Sequence, residues 1–480
     1  MVQDYFHEYY EAAVELTLAP LAQVGPPLAN NNLINGKASN ATGGPGMAHF
    51  SVKSGKSYRM RFINTGGNSV QKVSIDGYKM TVIANDFIPI VPYETDRLSL
   101  AVGQRNDVIF KADGKPTDAV WLRSFRPPPC GPSAGGEEVV AAIFYENADK
   151  SQPPVTTAND DAYESTCAGD ALDKTVPLMQ VTPPEPDYTD VIPIEFQPNG
   201  SDSDPTTRLL WYMQGQTFRI DYNDPMLLEA KMGNLSFPAI RNAHNYGTNN
   251  SVIFVFENPG TIIHPMHLHG HNVFVLQTGP CASAPAVSNA PIASTFIPPS
   301  ATALTTPSAT STSYGKQTTE TFGLPSGGPP GGPPHGQPTS QGSPRPSSAT
   351  PPASSDAPAP AYSSASSQDK RDESVIRRRD GTGSCWDGSI VNAQNPQRRD
   401  TQMLDAGSYV VLQWVNDNPG VWPLHCHTAW HLSAGMVWMS IEDPDKIQNE
   451  MEIPSIMAQT CRDWAAWSGE NVVYQIDTGI

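Results

Sequence analysis

From residue 282 to residue 383 the chain consists mainly of Ser, Thr, Pro, Ala and Gly, a composition that cannot bury enough apolar surface to order itself. Any compact structure must therefore be built from the two stretches that flank this insert. The flanks hold about 380 residues of globular composition, room for two domains of ordinary size. The insert is expected to be a disordered, solvated linker; a mucin-like loop bearing O-glycans and an intron read through as protein are the alternatives.

Short β-branched and aromatic runs fill the flanks, among them SYRMRFINTGG, KMTVIAND, DRLSLAVGQRNDVIF and SVIFVFEN, with turn residues between them. Side chains along a strand alternate between its two faces, and residues 58–63 and 97–110 show that alternation. Strands at this density without helical periodicity predict an all-β protein of two antiparallel sandwiches or barrels, at about 28–148 and 190–443. Only FHEYYEAAVELTLA and PSIMAQTCRDWAAWS carry apolar residues at helical spacing, which predicts short surface helices near the two ends.

Thirty Lys and Arg against 48 Asp and Glu give a net charge of −18, which argues against nucleic acid or an anionic membrane as a partner. No apolar stretch approaches the roughly 20 residues of a membrane helix. The start, MVQDYFHEYYEAAVEL, lacks the basic residues and apolar run of a secretory signal. Asn40, Asn199, Asn234 and Asn249 nevertheless head N-x-Ser/Thr sequons, which points outside the cell. Six cysteines without CxxC spacing fit disulfides plus one special thiol better than a zinc or thioredoxin motif.

Seven of the eleven histidines fall in two short segments, His264-Pro-Met-His267-Leu-His269-Gly-His271 and His425-Cys426-His427-Thr-Ala-Trp-His431, the latter followed by Met436. On a strand His267 and His269 share a face, whereas Cys426 points away from His425 and His427. A thiolate-bound metal on one side would then be joined covalently to two imidazoles on the other, an arrangement suited to electron transfer. Two histidines, a thiolate and a weak axial methionine are the ligands of a blue-copper centre, which His264, Cys426, His431 and Met436 can supply. Zinc also accepts Cys and His, but one cysteine among so many imidazoles, with a methionine ten residues on, favours copper.

These segments resemble the third-domain signatures of multicopper oxidases, and NNLINGK, YRMRFINTG, GQRNDVIF and NPQRRDT resemble landmarks of ascomycete laccases. The resemblance covers nearly the whole chain outside the insert. It implies two cupredoxin-like Greek-key domains, a second domain at 1–165 and a third at 166–281 and 384–480. It implies a type 1 copper on His264, Cys426 and His431 with Met436 axial, His267 on a type 2 copper, and His269, His425 and His427 on a type 3 pair. The implied activity is oxidation of phenolic or aromatic molecules coupled to reduction of dioxygen to water, by a secreted enzyme of low potential because Met436 is axial. Asp86 lies where related laccases carry the acid that receives the phenolic proton. Ala429 stands where ferroxidases carry a glutamate, which counts against iron as substrate. The resemblance further implies a Cys130–Cys167 disulfide, a Cys461 that pairs with a first domain, and a C-terminal plug in residues 477–480.

The family takes four further trinuclear ligands from two HxH motifs of a first domain, and this sequence contains neither. The remaining histidines, His7, His49, His244 and His335, stand alone. The expectation is thus a complete type 1 site, half of the type 2 and type 3 ligands, and a first domain lost, as in a truncated gene model. An electron-transfer module holding only type 1 copper, and an inactive fragment, are the competing expectations.

Overall fold

The computed structural model describes residues 1–21, 25–39, 46–131, 133–201, 204, 206–281, 385–471 and 475–479, so the predicted disordered insert lies outside the described residues. All of these belong to one body, Met1–Ile292 with Asp372–Ile480. It is mostly β, as the alternation predicts.

Two pairs of sheets make up most of the body, together with a two-stranded antiparallel sheet of Val2–Tyr5 and Asn31–Ile34. In the first, a sheet ordered His49–Ser51, Glu138–Phe144, Ala119–Phe125, Gln71–Ile75, Arg97–Leu100 faces one ordered Lys56–Ile63, Arg105–Ala112, Met80–Asn85, Ile88–Thr95. Along Arg105–Ala112, Asn106, Val108, Phe110 and Ala112 are buried while Arg105, Asp107, Ile109 and Lys111 are not. Val108, Phe110 and Ala112 meet Val73, Leu98, Leu122 and Ile143 in a common apolar core.

The second pair has six strands, ordered Leu209–Met213, Tyr188–Pro198, Ser251–Asn258, Ser408–Val415, Val273–Pro280, Gln397–Arg399. They face five, ordered Ala243–Asn245, Val437–Glu442, Gly420–Cys426, His264–Leu268, Thr401–Leu404. The central run VIFVF, residues 252–256, is apolar without alternation because its strand is buried on both faces: Val252, Phe254 and Phe256 enter the main core, and Ile253 and Val255 enter a second cluster with Phe274, Trp386 and Tyr409.

The sheets are not purely antiparallel as predicted. Tyr188–Pro198 runs parallel to Ser251–Asn258, Ala243–Asn245 to Val437–Glu442, and His49–Ser51 to Glu138–Phe144. Each parallel pair joins strands distant in sequence, which alternation along a single strand does not encode.

Both predicted helices form, at Tyr10–Thr17 and Ser455–Glu470. The first is more than a surface helix, since Ala13 and Val14 enter the core of the second sheet pair. The Cys130–Cys167 disulfide is present, and a second, Cys281–Cys385, closes the base of the insert with its Cα atoms 5.1 Å apart. The linker between the two sheet pairs stays on the first as far as Leu178: Lys72 Nζ and Ser99 Oγ donate to Ala168 O, Tyr93 donates to Asp170, Val91 N donates to Val176 O, and Leu178 N donates to Pro89 O. No described helix is long and apolar enough to cross a membrane.

Candidate metal centre

The two histidine segments, far apart in sequence, become neighbours in one sheet. His264–Leu268 lies antiparallel to Gly420–Cys426, with Met266 opposite Cys426 and His267 opposite His425. On its other edge it pairs with Thr401–Leu404, where His264 faces Leu404 and His267 faces Thr401. Pleating then sends Cys426 to one side and His425 and His427 to the other.

On the Cys426 side three donors converge. Cys426 Sγ is 3.7 Å from His264 Nδ1 and 3.4 Å from His431 Nδ1, and the two nitrogens are 3.2 Å apart. His431 arrives on the short helix Ala429–Ser433 that follows the HCH strand. Met436 is fully buried beside them: its carbonyl accepts from Cys426 N at 3.3 Å and its N–H donates to His431 O at 3.1 Å. Trp211 covers the group, its ring centroid 4.7 Å from the rings of both His264 and His431.

Burial pushes the Cys426 thiol up to about 12 and His431 down to about 3. It also lowers His264 well below its ordinary value, with the neighbouring His431 adding to the effect. Neutral imidazoles keep their lone pairs free, but a thiol held at about 12 stays protonated unless a cation replaces its proton. Two imidazole nitrogens and a soft sulfur around one point, with Cys426 and His264 buried and His431 partly exposed, therefore fit a copper ion.

On the opposite face ligand atoms of His267, His269 and His425 lie within 4.8 Å of one another. His269 Nε2 and His425 Nε2 are 3.1 Å apart, and the His427 ring is 5.6 Å from that of His267 and 5.8 Å from that of His425. Burial, then the neighbouring imidazoles, lowers His269 to about 4; burial foremost lowers His425 to about 3 and depresses His427. Imidazoles gathered in this way suit a divalent metal.

Asp86 lies in a set of ion pairs with Arg105 and Arg399. Its side chain is fully buried, accepting from Arg105 N at 2.9 Å and from Arg399 Nε at 2.9 Å and NH2 at 3.2 Å. With its oxygens held by Arg105 and Arg399, the carboxylate acts as a clamp between them. Its φ of +50° marks a bend that aspartate tolerates through local hydrogen bonding.

His271 pairs with Glu442 at 3.0 Å, both side chains buried, and His244 stacks on Trp438. His7 and His49 are exposed, and His335 lies outside the described residues. Cys461 is a free, exposed thiol. The tail is docked, with Thr478 N donating to Ser433 O and Tyr10 Oη donating to Asp477; Ile480 lies outside the described residues. Asn199, Asn234 and Asn249 are exposed, and Asn40 lies outside the described residues.

Sequence reasoning assigned no role to Trp211, Gly103, Arg105 or Asp400, all of which touch the histidines or their supports. Trp211 lies in a hairpin with nothing in its spacing to link it to histidines fifty residues and more away. The NPQRRDT motif marked Asp400 only as part of a resemblance.

Two family models, each described as multicopper oxidase, match residues 1–136 and residues 192–305 with 372–446. The oxidoreductase OpS5 of Beauveria bassiana is 27% identical over 95% of this chain and 62% of its own length. Laccase-1 of Melanocarpus albomyces is 27% identical over the whole of this chain and 62% of its own. The chain thus spans about 62% of the length of these curated relatives. The crystal structure of the Botrytis aclada laccase superposes with a TM-score of 0.68 at 23% identity, covering 100% of this chain and 70% of that one, so it shares the fold. With its strands, its two disulfides and its histidine and cysteine groups placed as described, this chain belongs to the multicopper oxidases.

Proposed function

We propose that this chain carries the substrate-oxidising site and half of the oxygen-reducing site of a laccase-like oxidase. His264, Cys426 and His431 would hold type 1 copper with Met436 as weak axial partner; His267 would hold type 2 copper, and His269, His425 and His427 the type 3 pair. Copper so bound supplies one-electron oxidation of phenolic or aromatic molecules and four-electron reduction of dioxygen to water. The single observation that carries this reading is the placement of Cys426. Its sulfur joins one donor group, while its immediate neighbours His425 and His427 point into the other. A covalent path through a single peptide link therefore joins the two metal-binding faces.

The protein's own residues do the rest. Trp211 shields the thiolate side from water, and neutral imidazoles on both faces are ready to bind without losing a proton. Ala429, where ferroxidases carry a glutamate, favours organic substrates over iron. The exposed sequon asparagines agree with an extracellular enzyme.

Four histidines of an eight-histidine cluster are in this sequence, so oxygen reduction requires the other four from beyond it. The test is copper per chain, colour and oxygen uptake with a dimethoxyphenol. We expect an intensely blue chain whose colour bleaches when the phenol is added without air. A colourless copper adduct would overturn the type 1 assignment, and steady oxygen uptake by the isolated chain would overturn the ligand count. The ligand count also supports a second reading, an electron-transfer module, marked by one blue copper and no oxygen uptake.

A further inference from the structure

One turn of the first sheet pair reaches two members of the histidine cluster. Residues 101–104 link Arg97–Leu100 to Arg105–Ala112 and press against the second sheet pair. Gln104 Nε2 donates to Thr401 O at 2.9 Å, and Gly103 N donates to Asn64 O at 3.1 Å. At Gly103, with φ +83°, a Cβ would lie 2.5 Å from His427 Cδ2 and 2.7 Å from its Nε2. Only glycine fits both that backbone and that distance.

Arg105, the next residue but one, forms a two-pronged ion pair with Asp400, NH1 to Oδ1 and NH2 to Oδ2 each at 2.6 Å. Asp86 holds Arg105 from the other side, with NH1 3.4 Å from Oδ1, and clamps Arg399 as well. Asp400 in turn faces the cluster: its carbonyl accepts from His267 Nδ1 at 2.7 Å, and its carboxylate accepts from Thr401 Oγ1, itself 3.2 Å from that nitrogen. With its proton on Nδ1, His267 presents Nε2 as the free lone pair.

We propose that the turn at 101–104, with Arg105, is the positioning element of the histidine cluster, setting the His267 tautomer through Asp400 and the place of His427 through the bare Cα of Gly103. This gives Asp86 its place as the clamp that fixes Arg105. The affinity arm of the test rests on the copper reading of the cluster; the tautomer arm stands without it.

In the metal-free chain labelled with nitrogen-15 histidine, with His267 assigned through His267→Gln, the wild type should show the proton on Nδ1. Arg105→Met should shift His267 toward the Nε2-protonated form, and Arg105→Lys, which keeps charge but not the fork, should lie between. Loss of an outer partner of a metal-bound histidine weakens binding roughly ten- to a hundredfold. Copper(II) titration should show that loss at the cluster in Arg105→Met and in Gly103→Ala, with the blue Cys426 site unchanged. An unchanged tautomer in Arg105→Met overturns the proposal, as does equal weakening of the blue site, which would mean general loosening. A wild-type chain that binds copper only at the Cys426 site would overturn the copper reading of the cluster, leaving the tautomer to decide the inference.

Discussion

Cys426 shows how one residue type acquires chemistry from its place. In water a thiol is reactive near neutral pH; here burial raises it to about 12, so it becomes a thiolate only in exchange for a metal ion. Met436, fully buried and joined to both Cys426 and His431 through its main chain, would tune that ion on the proposed ligand set. Met436→Leu should raise the potential of the blue copper, because removing a sulfur donor destabilises the oxidised ion more than the reduced one. A redox titration of the blue band checks it, and an unchanged or lowered potential would show that Met436 does not ligate. At this scale the candidate ligands were legible in the sequence, because their types and spacing are local. Asp86 was not, since nothing in VIANDFIPI announces the two arginines that surround it, one of them more than three hundred residues away.

At the scale of elements, the strand Ser251–Asn258 is the spine of the second sheet pair, with Phe254 in ring contact with Tyr246, Phe256, Trp414 and Trp438. Phe254→Ala should cost about 3–5 kcal/mol, since those rings cannot close the gap. A urea melt of the metal-free chain measures it, and a loss below about 1 kcal/mol would mean that the site collapses. The linker behind the first sheet pair depends on charge instead. Burial works to raise Glu164, but hydrogen bonds from Thr166 and the charges of Lys72 and Arg97 outweigh it and hold Glu164 below its ordinary 4.5. A carboxyl lowered on folding contributes stability that is present above pH 4.5 and is lost as pH falls through its folded value. Thermal melts across pH should therefore show Glu164→Gln less stable than wild type at neutral pH, with the gap closing below pH 4.5. A gap independent of pH would refute this account.

Over the whole molecule, the flanks of the insert meet without it. Cys281 and Cys385 have Cα atoms 5.1 Å apart, so a chain of a few residues can span what the insert now joins. Replacing residues 286–380 by a short Gly-Ser loop, with both cysteines kept, should leave copper uptake and colour unchanged. Shortening a loop about tenfold alters closure entropy by only about 2 kcal/mol, less where a disulfide already ties the ends. Loss of the blue site in that variant would show that the insert supports the fold. The sequence by itself determined the mostly β class, the sites of the terminal helices and the candidate ligand sets on both faces of the HCH strand. Strand alternation and metal-ligand spacing are properties of neighbours along the chain. The parallel strand pairs, the burial of the first helix, the Trp211 shield and the Asp86–Arg105–Asp400 clamp were decided only by the tertiary structure. Each joins residues that are distant in sequence, and their interaction exists only once packing has excluded water and brought the partners within a few ångströms.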